Sequence, residues 1–247
     1  PSRLAQDEKA VQQFANLSSF AEQMLVHEHA LVKIRRDMPM DKAALIGCGV
    51  TTGVGAVHNT AKVELGSTVA VIGCGGVGLS CINGASIAGA GRVIAIDRIA
   101  DKLTLAKAFG ATDVINASDG DAVEQVKEMT GGGVHYAFEA IGLKQTAEQA
   151  FEMLRPGGTA TLIGMIPYGE KIELHGADFL FEKKVIGCAM GSNRFRVDMP
   201  RYVDFYLAGK LKLDDLLSSH IKLDDVNEAL QALKTGAVAR NVIMFDT

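Results

Sequence analysis

The stretch VAVIGCGGVGLSCINGASIAGAGRVIAID, residues 69–97, decides the fold of this chain. An apolar run comes first, then Gly73, Gly75 and Gly78 in the pattern G-x-G-x-x-G, then a helical segment and a second apolar run ending at Asp97. Each glycine has a physical role. The first permits a tight turn out of a strand, the second leaves the backbone open to a pyrophosphate, and the third lets the helix pack closely on the strand. The helix beginning there, through Gly76 and Val77, offers free N–H groups and the positive end of its dipole to an anion. Asp97, 19 residues after Gly78, stands where a carboxylate accepts from the hydroxyls of an adenosine ribose. Its charge repels a 2′-phosphate, so NAD is expected over NADP, a preference that the adjacent Arg98 weakens. The plainer alternative is a glycine-rich packing turn followed by an incidental Asp.

Outward from this turn the same alternation continues. Buried strands are predicted at Thr68–Ile72, Arg92–Ile96, Asp113–Ile115, Val134–Phe138, Thr159–Ile163 and Val185–Cys188, with helices at Gly76–Ala88, Ala100–Phe109, Asp121–Met129 and Lys144–Leu154. Short apolar strands alternating with helices make βαβ units and a parallel sheet. The expected fold is therefore α/β, a doubly wound six-stranded Rossmann sheet in the order 3-2-1-4-5-6. TGGGVHYAFEAIG, 130–142, follows a helix, so its glycines cap that helix instead of cradling phosphate. Upstream, QMLVHEHALVKI (23–34) alternates like a strand, and DKAALIGCGVTTGVGAVHNTA (41–61) reads as two short helical stretches capped by Asp41. Past Gly191, residues 194–213 and 223–236 are amphipathic helices and ARNVIMF (239–245) a closing strand. The division expected is 1–49 as part of another lobe, 50–190 as the dinucleotide-binding domain, and 191–247 as a return to that lobe.

Composition narrows the function. The 247 residues are 48% hydrophobic and 22% charged, with a formal net charge of −4. There is no basic excess or basic stripe, so a nucleic-acid binder is not expected. No apolar run reaches the roughly 18 residues a membrane helix needs. Cys48, Cys74, Cys81 and Cys188 are scattered in apolar surroundings, a poor disulfide framework that suggests the cytoplasm. The first residues, PSRLAQDEKA, are polar and unlike a signal peptide, and the chain starts at Pro1, as a processed or truncated polypeptide would.

With these residues in view, the chain resembles the zinc-dependent medium-chain alcohol dehydrogenases, nearest the class III-like bacterial members. The resemblance runs from FANLSSFAEQMLVHEHALVKI (14–34) to ARNVIMF, and LIGCGVTTGVGAVHNTAKVELGSTVAVIGCGGVG (45–78) is its most distinctive part. It implies NAD and zinc as cofactors and oxidation of a small alcohol, or reduction of an aldehyde, by hydride transfer. Cys48 would be one protein ligand of the catalytic zinc, and Thr52 would pack beside the nicotinamide. Gly73 to Gly78 would hold the pyrophosphate, Asp97 with Lys102 the adenosine ribose, and Arg240 a phosphate. Ile141, Ile163, Gly164 and Met165 would line the nicotinamide pocket. A homodimer or homotetramer paired through residues 171–189 is implied as well. The family's N-terminal GroES-like lobe, with the other zinc ligands and the proton-relay residues, has no counterpart in this sequence. The chain therefore looks like the last two-thirds of such an enzyme, or a silent NAD-binding fragment of one. Which alcohol it takes is open across primary, secondary and aromatic alcohols and thiol adducts of formaldehyde; Met190 and residues 165–168 suggest only an apolar wall.

Three constellations compete with this picture. Taken alone, Cys48 is a packing cysteine, since a catalytic zinc needs three protein ligands. His27-Glu28-His29 would put two imidazoles on one face of a strand, a solvated face more than a metal site. Tyr206 and Lys210 form Y-x-x-x-K with Ser192 upstream, the pattern of the zinc-free short-chain dehydrogenases. The glycine spacing and the position after the sixth strand argue against that mechanism.

Overall fold

The computed structural model describes residues 4–13, 17–235 and 238–245. A short hairpin, β1 (Leu4–Gln6) with β2 (Lys9–Val11), opens the chain. Residues 23–34 are not the expected strand. They run irregularly through one 3-10 turn, Glu28–Ala30, where His27 Nδ1 accepts from the His29 amide at 3.1 Å. A backbone bent back on its own side chain leaves no straight edge to pair, and of the segment's apolar residues only Val26, Val32 and Ile34 among the larger ones are half-buried, while Met24, Leu25 and Leu31 are exposed.

Residues 40–61 are helical without a break, where two separate stretches were expected. α1 (Met40–Leu45) passes through a π-turn (Ile46–Val50) into α2 (Thr51–Gly55) and a second π-turn (Ala56–Ala61). The N-cap is Pro39, not Asp41; Asp41 lies in the first turn and accepts from the Lys42 amide. Four glycines at 47, 49, 53 and 55 should cost this helix on the order of 1 kcal/mol each against Ala. Tertiary contact explains three of them. A Cβ on Gly53 would lie 2.4 Å from Val77 O, and one on Gly55 2.3 Å from Asn193 Nδ2. On Gly49 it would be 3.1 Å from Arg240 Nη2.

The core is the six-stranded sheet β5-β4-β3-β6-β7-β8, parallel throughout. Its strands are β3 (Thr68–Ile72), β4 (Arg92–Asp97), β5 (Asp113–Asn116), β6 (Val134–Glu139), β7 (Leu154–Leu162) and β8 (Lys184–Gly187). Counted from β3 the order is 3-2-1-4-5-6, as the sequence predicts. β7 begins five residues earlier than expected because Val134 pairs with Leu154 before the register shifts. The crossovers are α3 (Gly76–Ile87), α4 (Ala100–Ala108), α5 (Ala122–Thr130) and α6 (Lys144–Glu152). Asp121 caps α5, and Gly131, at φ +67°, ends it, the role expected of the 130–142 glycines. Apolar clusters cover both faces. One joins β3 and β4 to α2, α3 and a later helix, Phe195–Leu207; the other joins them to α5 and α6. This double cover is why the strands read as nearly unbroken apolar runs.

α7 (Phe195–Leu207) and α8 (Val226–Thr235) fall where the amphipathic pattern puts them. β9 (Leu217–Ile221), which the sequence reading missed, pairs in parallel with the closing strand β10 (Arg240–Ile243). No helix among the described residues is long and apolar enough to cross a membrane.

Candidate functional site

The strand order reverses at β3, which pairs with β4 on one side and β6 on the other. Loops leaving the carboxyl ends of such strands diverge, and the crevice between them is where open α/β sheets bind ligands. A cleft of about 540 Å³ opens there, bounded by Ile72, Ile96, Asp97, Ala117, Ile141 and Thr146.

The glycine turn forms one side of it. Gly73 has φ +95°, a region that disfavours a side chain, and a Cβ there would meet Ile141 Cγ1 at 2.6 Å. A Cβ on Gly78 would come within 1.7 Å of Gly73 O, so α3 starts hard against the strand end. At Gly75, the N-cap of α3, a Cβ would meet nothing within 4 Å. The turn is therefore closed where the protein packs on itself and open where the free N–H groups of the helix emerge. Asp97 fixes this shape from the next strand. Its Oδ2 accepts from the Cys74 amide at 2.8 Å, and Oδ1 from the amides of Arg98 and Ile99 at 2.8 and 3.1 Å. These bonds leave acceptor capacity on the carboxylate for a ribose hydroxyl. Lys102, half-buried in α4, acts on the Cys74 thiol opposite in sign to Asp97; burial nonetheless pushes that thiol up to about 12, so Cys74 stays protonated.

Arg240 comes from the far end of the chain. Its guanidinium lies between Gly49 and Gly76, where added Cβ atoms would sit 3.1 Å from Nη2 and 2.4 Å from Cζ. Nη1 donates to Ala239 O at 2.7 Å. Among the described residues no carboxylate forms a salt bridge with it. Burial lowers its pKa from the ordinary arginine value, and nearby Cys48 partly offsets this. A desolvated cation without a counter-charge is costly, and here it stands beside the first turn of α3.

Cys48 is exposed in the first π-turn and unpaired, like the other three cysteines. Among the described residues no group of three His, Cys, Asp or Glu could hold a metal ion. The described side chains therefore do not fit a catalytic zinc, and His27 and His29, on their 3-10 turn, add no ligand set. One turn beyond Cys48, Thr52 is nearly buried, its hydroxyl 3.9 Å from Met190 Sδ. Ile141 and Met165 are exposed, at 48% and 92%, on loops after β6 and β7, while Ile163 and Gly164 are half-buried. The short-chain-type trio is not assembled. The Ser192 hydroxyl bonds to Thr60 at 2.8 Å, whereas Tyr206 bonds to Asp214 at 3.2 Å. Burial and Asp214 raise the Tyr206 pKa, the opposite of what a tyrosine base requires.

Two features escaped the sequence reading. Glu139, at the end of β6, is wholly buried, and Oε1 accepts from the Ile141 and Gly142 amides and the Thr146 hydroxyl. A lone acid closing an apolar strand was the available signal. The second is the turn Met190-Gly191-Ser192, at φ +49°, +67° and +48°, which Asn193 pins by donating to Thr51 O and Met190 O, both at 2.7 Å. Nothing in its composition marks it.

Sequence and structure comparisons agree on the relationship. The sequence model of the zinc-binding dehydrogenases matches residues 76–208. Alcohol dehydrogenase-like 5 of Arabidopsis thaliana is 40% identical over 237 residues, which cover 94% of this chain and 61% of that protein. A probable S-(hydroxymethyl)glutathione dehydrogenase 1 of Schizosaccharomyces pombe is 39% identical over 244 residues, 98% of this chain and 65% of that one. The crystal structure of benzyl alcohol dehydrogenase from Acinetobacter calcoaceticus superposes with a TM-score of 0.92 at 33% identity, covering 94% of this chain and 64% of the other. The chain thus spans a little under two-thirds of the length of each.

Proposed function

The chain belongs to the zinc-binding dehydrogenase family, and from that premise we propose that it is the dinucleotide-binding part of an NAD-dependent alcohol or aldehyde oxidoreductase. The observation that carries this reading is the half-buried Arg240 guanidinium, with no carboxylate salt bridge among the described residues, beside the open start of α3. A diphosphate supplies the missing negative charge, and the free N–H groups at Gly75 to Gly78 supply donors. Asp97 would accept from the adenosine ribose hydroxyls and repel a 2′-phosphate, with Lys102 beside it. Ile141, Ile163, Gly164 and Met165 would wall the nicotinamide, with Thr52 packed behind it. Bound NAD would supply the hydride acceptor for oxidation of an alcohol to an aldehyde, a reaction that also releases the hydroxyl proton. The chain's part is to hold and orient: glycine turn on the diphosphate, carboxylate on the ribose, apolar loops that exclude water from the ring. Cys48 would be the chain's contribution to a metal centre.

The relatives' names point to primary alcohols, benzylic or carried on a thiol adduct, as the substrate class. The domain division at 50 and 191, with the flanks serving a catalytic lobe, belongs to the same proposal, as does the cytoplasm, which four free thiols suit. Self-association would run through β8, an edge strand of the sheet, where Phe179, Leu180 and Phe181 are exposed just upstream.

Titration of the purified chain with NAD and NADP tests the core of this. NAD should bind at least tenfold tighter than NADP, and Asp97→Asn should narrow the gap. A folded chain that binds neither would overturn the reading. Alcohol-dependent NADH formation at 340 nm then separates an active enzyme from a module that binds without turnover.

A further inference from the structure

Glu139 accepts hydrogen bonds from both loops that flank the proposed nicotinamide site. Its carboxylate Oε1 takes the Ile141 amide at 2.9 Å, the Gly142 amide at 2.7 Å and the Thr146 hydroxyl at 2.8 Å. Its backbone carbonyl takes the Ile163 amide at 2.9 Å and the Gly164 amide at 3.1 Å. Oε2 is buried and has no hydrogen-bond partner among the described residues. There is no slack between the loops. A Cβ on Gly164 would lie 2.1 Å from Gly142 N and 2.5 Å from Glu139 Oε2, and one on Gly142, at φ +95°, would lie 2.7 Å from Met165 N. The first loop in turn sets Ile141 against Gly73 in the glycine turn.

Three donors on one oxygen suit a carboxyl group, which can carry a full negative charge and accept charge-assisted bonds where an amide oxygen cannot. A wholly buried acid is otherwise costly in a sheet whose neighbouring strand ends are apolar. Its persistence there asks for a task that an apolar residue could not do.

We propose that Glu139 is a positioning residue: its carboxylate holds the 141–146 loop at a fixed separation from the 163–165 loop and so shapes the slot for the nicotinamide ring. The proposal rests on the dinucleotide reading above.

The experiment compares wild type with Glu139→Gln, Glu139→Leu and Thr146→Val in two measurements. The first is amide hydrogen exchange of the ligand-free chain, resolved by residue. Ile141 and Gly142 should exchange at least tenfold faster in Glu139→Leu, with Ile163 and Gly164 following. Glu139→Gln, which keeps an acceptor, should be intermediate, and Thr146→Val should show about a threefold change. The second is the emission of bound NADH at saturation, which reports the surroundings of the ring. Its blue shift should shrink in the same order. Unchanged exchange in all three variants, or equal loosening by Gln and Leu, overturns the proposal, because the side chain would then act by packing alone. Weaker NADH binding with an unaltered bound spectrum also overturns it. If the position 139 variants do not fold, Thr146→Val decides alone, and wild-type exchange at Ile141 and Gly142 in that variant counts against the proposal. A wild-type chain that shows the exchange order yet binds no NADH would sink the dinucleotide reading and leave the loop coupling standing.

Discussion

The glycine turn of 73–78 and the helix of 40–61 meet at the same site but are specified in different ways. In the turn, the demands that set the glycine spacing are mostly local. Gly78 faces Gly73 O five residues back, and Asp97 reaches the Cys74 amide from the next strand. In the helix, several unusual residues answer to something far along the chain. Gly55 makes room for Asn193 and Gly191, Asn59 donates to Gly191 O at 3.3 Å, Thr60 bonds to Ser192, and Thr52 meets Met190. Local constraints leave a recognisable spacing in the sequence, whereas distant ones leave only residues that look wrong for a helix.

The largest effect should come from breaking the local region. Gly78→Ala places a methyl 1.7 Å from a backbone oxygen, with neither side free to yield. A loss of about 3 kcal/mol or more is expected, together with loss of NAD binding, by thermal melting and titration. Gly55→Ala, the counterpart in the helix, meets Asn193 Nδ2 at 2.3 Å and Gly191 O at 2.4 Å. Part of that obstacle is a side chain, so about 2 kcal/mol is expected; a cost equal to that of Gly78→Ala would erase the distinction between the two regions.

Asn193→Ala sharpens it further. Removal of the amide leaves Thr51 O and Met190 O unserved and deprives the Tyr202 hydroxyl of its 2.5 Å acceptor. Denaturant unfolding should show a loss of about 1–2 kcal/mol, with the NAD preference over NADP unchanged because Asp97 is untouched. Arg240→Met should behave in the opposite sense. NAD affinity should fall about tenfold, roughly 1.4 kcal/mol, while the ligand-free chain should be no less stable, since a half-buried cation without a carboxylate salt bridge among the described residues has been removed. A ligand-free chain destabilised by this change would mean that Arg240 is structural.

The smallest effect is electrostatic. Burial and the positive Arg201 lower the pKa of His58, which lies in the second π-turn with its ring 6.4 Å from that of Phe205. Between its folded pKa and 6.5 the unfolded chain binds more protons, so stability falls as the pH drops below about 6.5 and is unaffected above it. His135, lowered by burial and Arg155, adds in the same direction. His58→Gln should flatten, by less than about 1 kcal/mol, the difference in unfolding free energy between pH 7.5 and 5.5.

Much of the architecture was legible. Six apolar runs, the helices between them and the sheet order followed from periodicity, because strands covered on both faces must be apolar along their length. The tight turn into α3 was legible through Gly73, Gly75 and Gly78, and the strand-end acid through Asp97. The irregular course of 23–34 was not, since alternation of apolar residues looks alike in a strand and in a largely exposed irregular segment. Nor was β9, whose Leu217-Ser-Ser-His-Ile221 is polar in the middle and exposed.

The sequence by itself determined the parallel sheet, the glycine turn and the acid after it, because apolar runs, glycine spacing and a strand-end carboxylate are each written in short stretches of the chain. Tertiary structure alone decided that Arg240 reaches the start of α3 from beyond the sheet, that Asn193 holds a left-handed turn against α2, and that Glu139 joins two loops. Those contacts bring together residues as much as 164 positions apart, from Gly76 to Arg240, and only packing sets which distant atoms occupy the space a glycine leaves open.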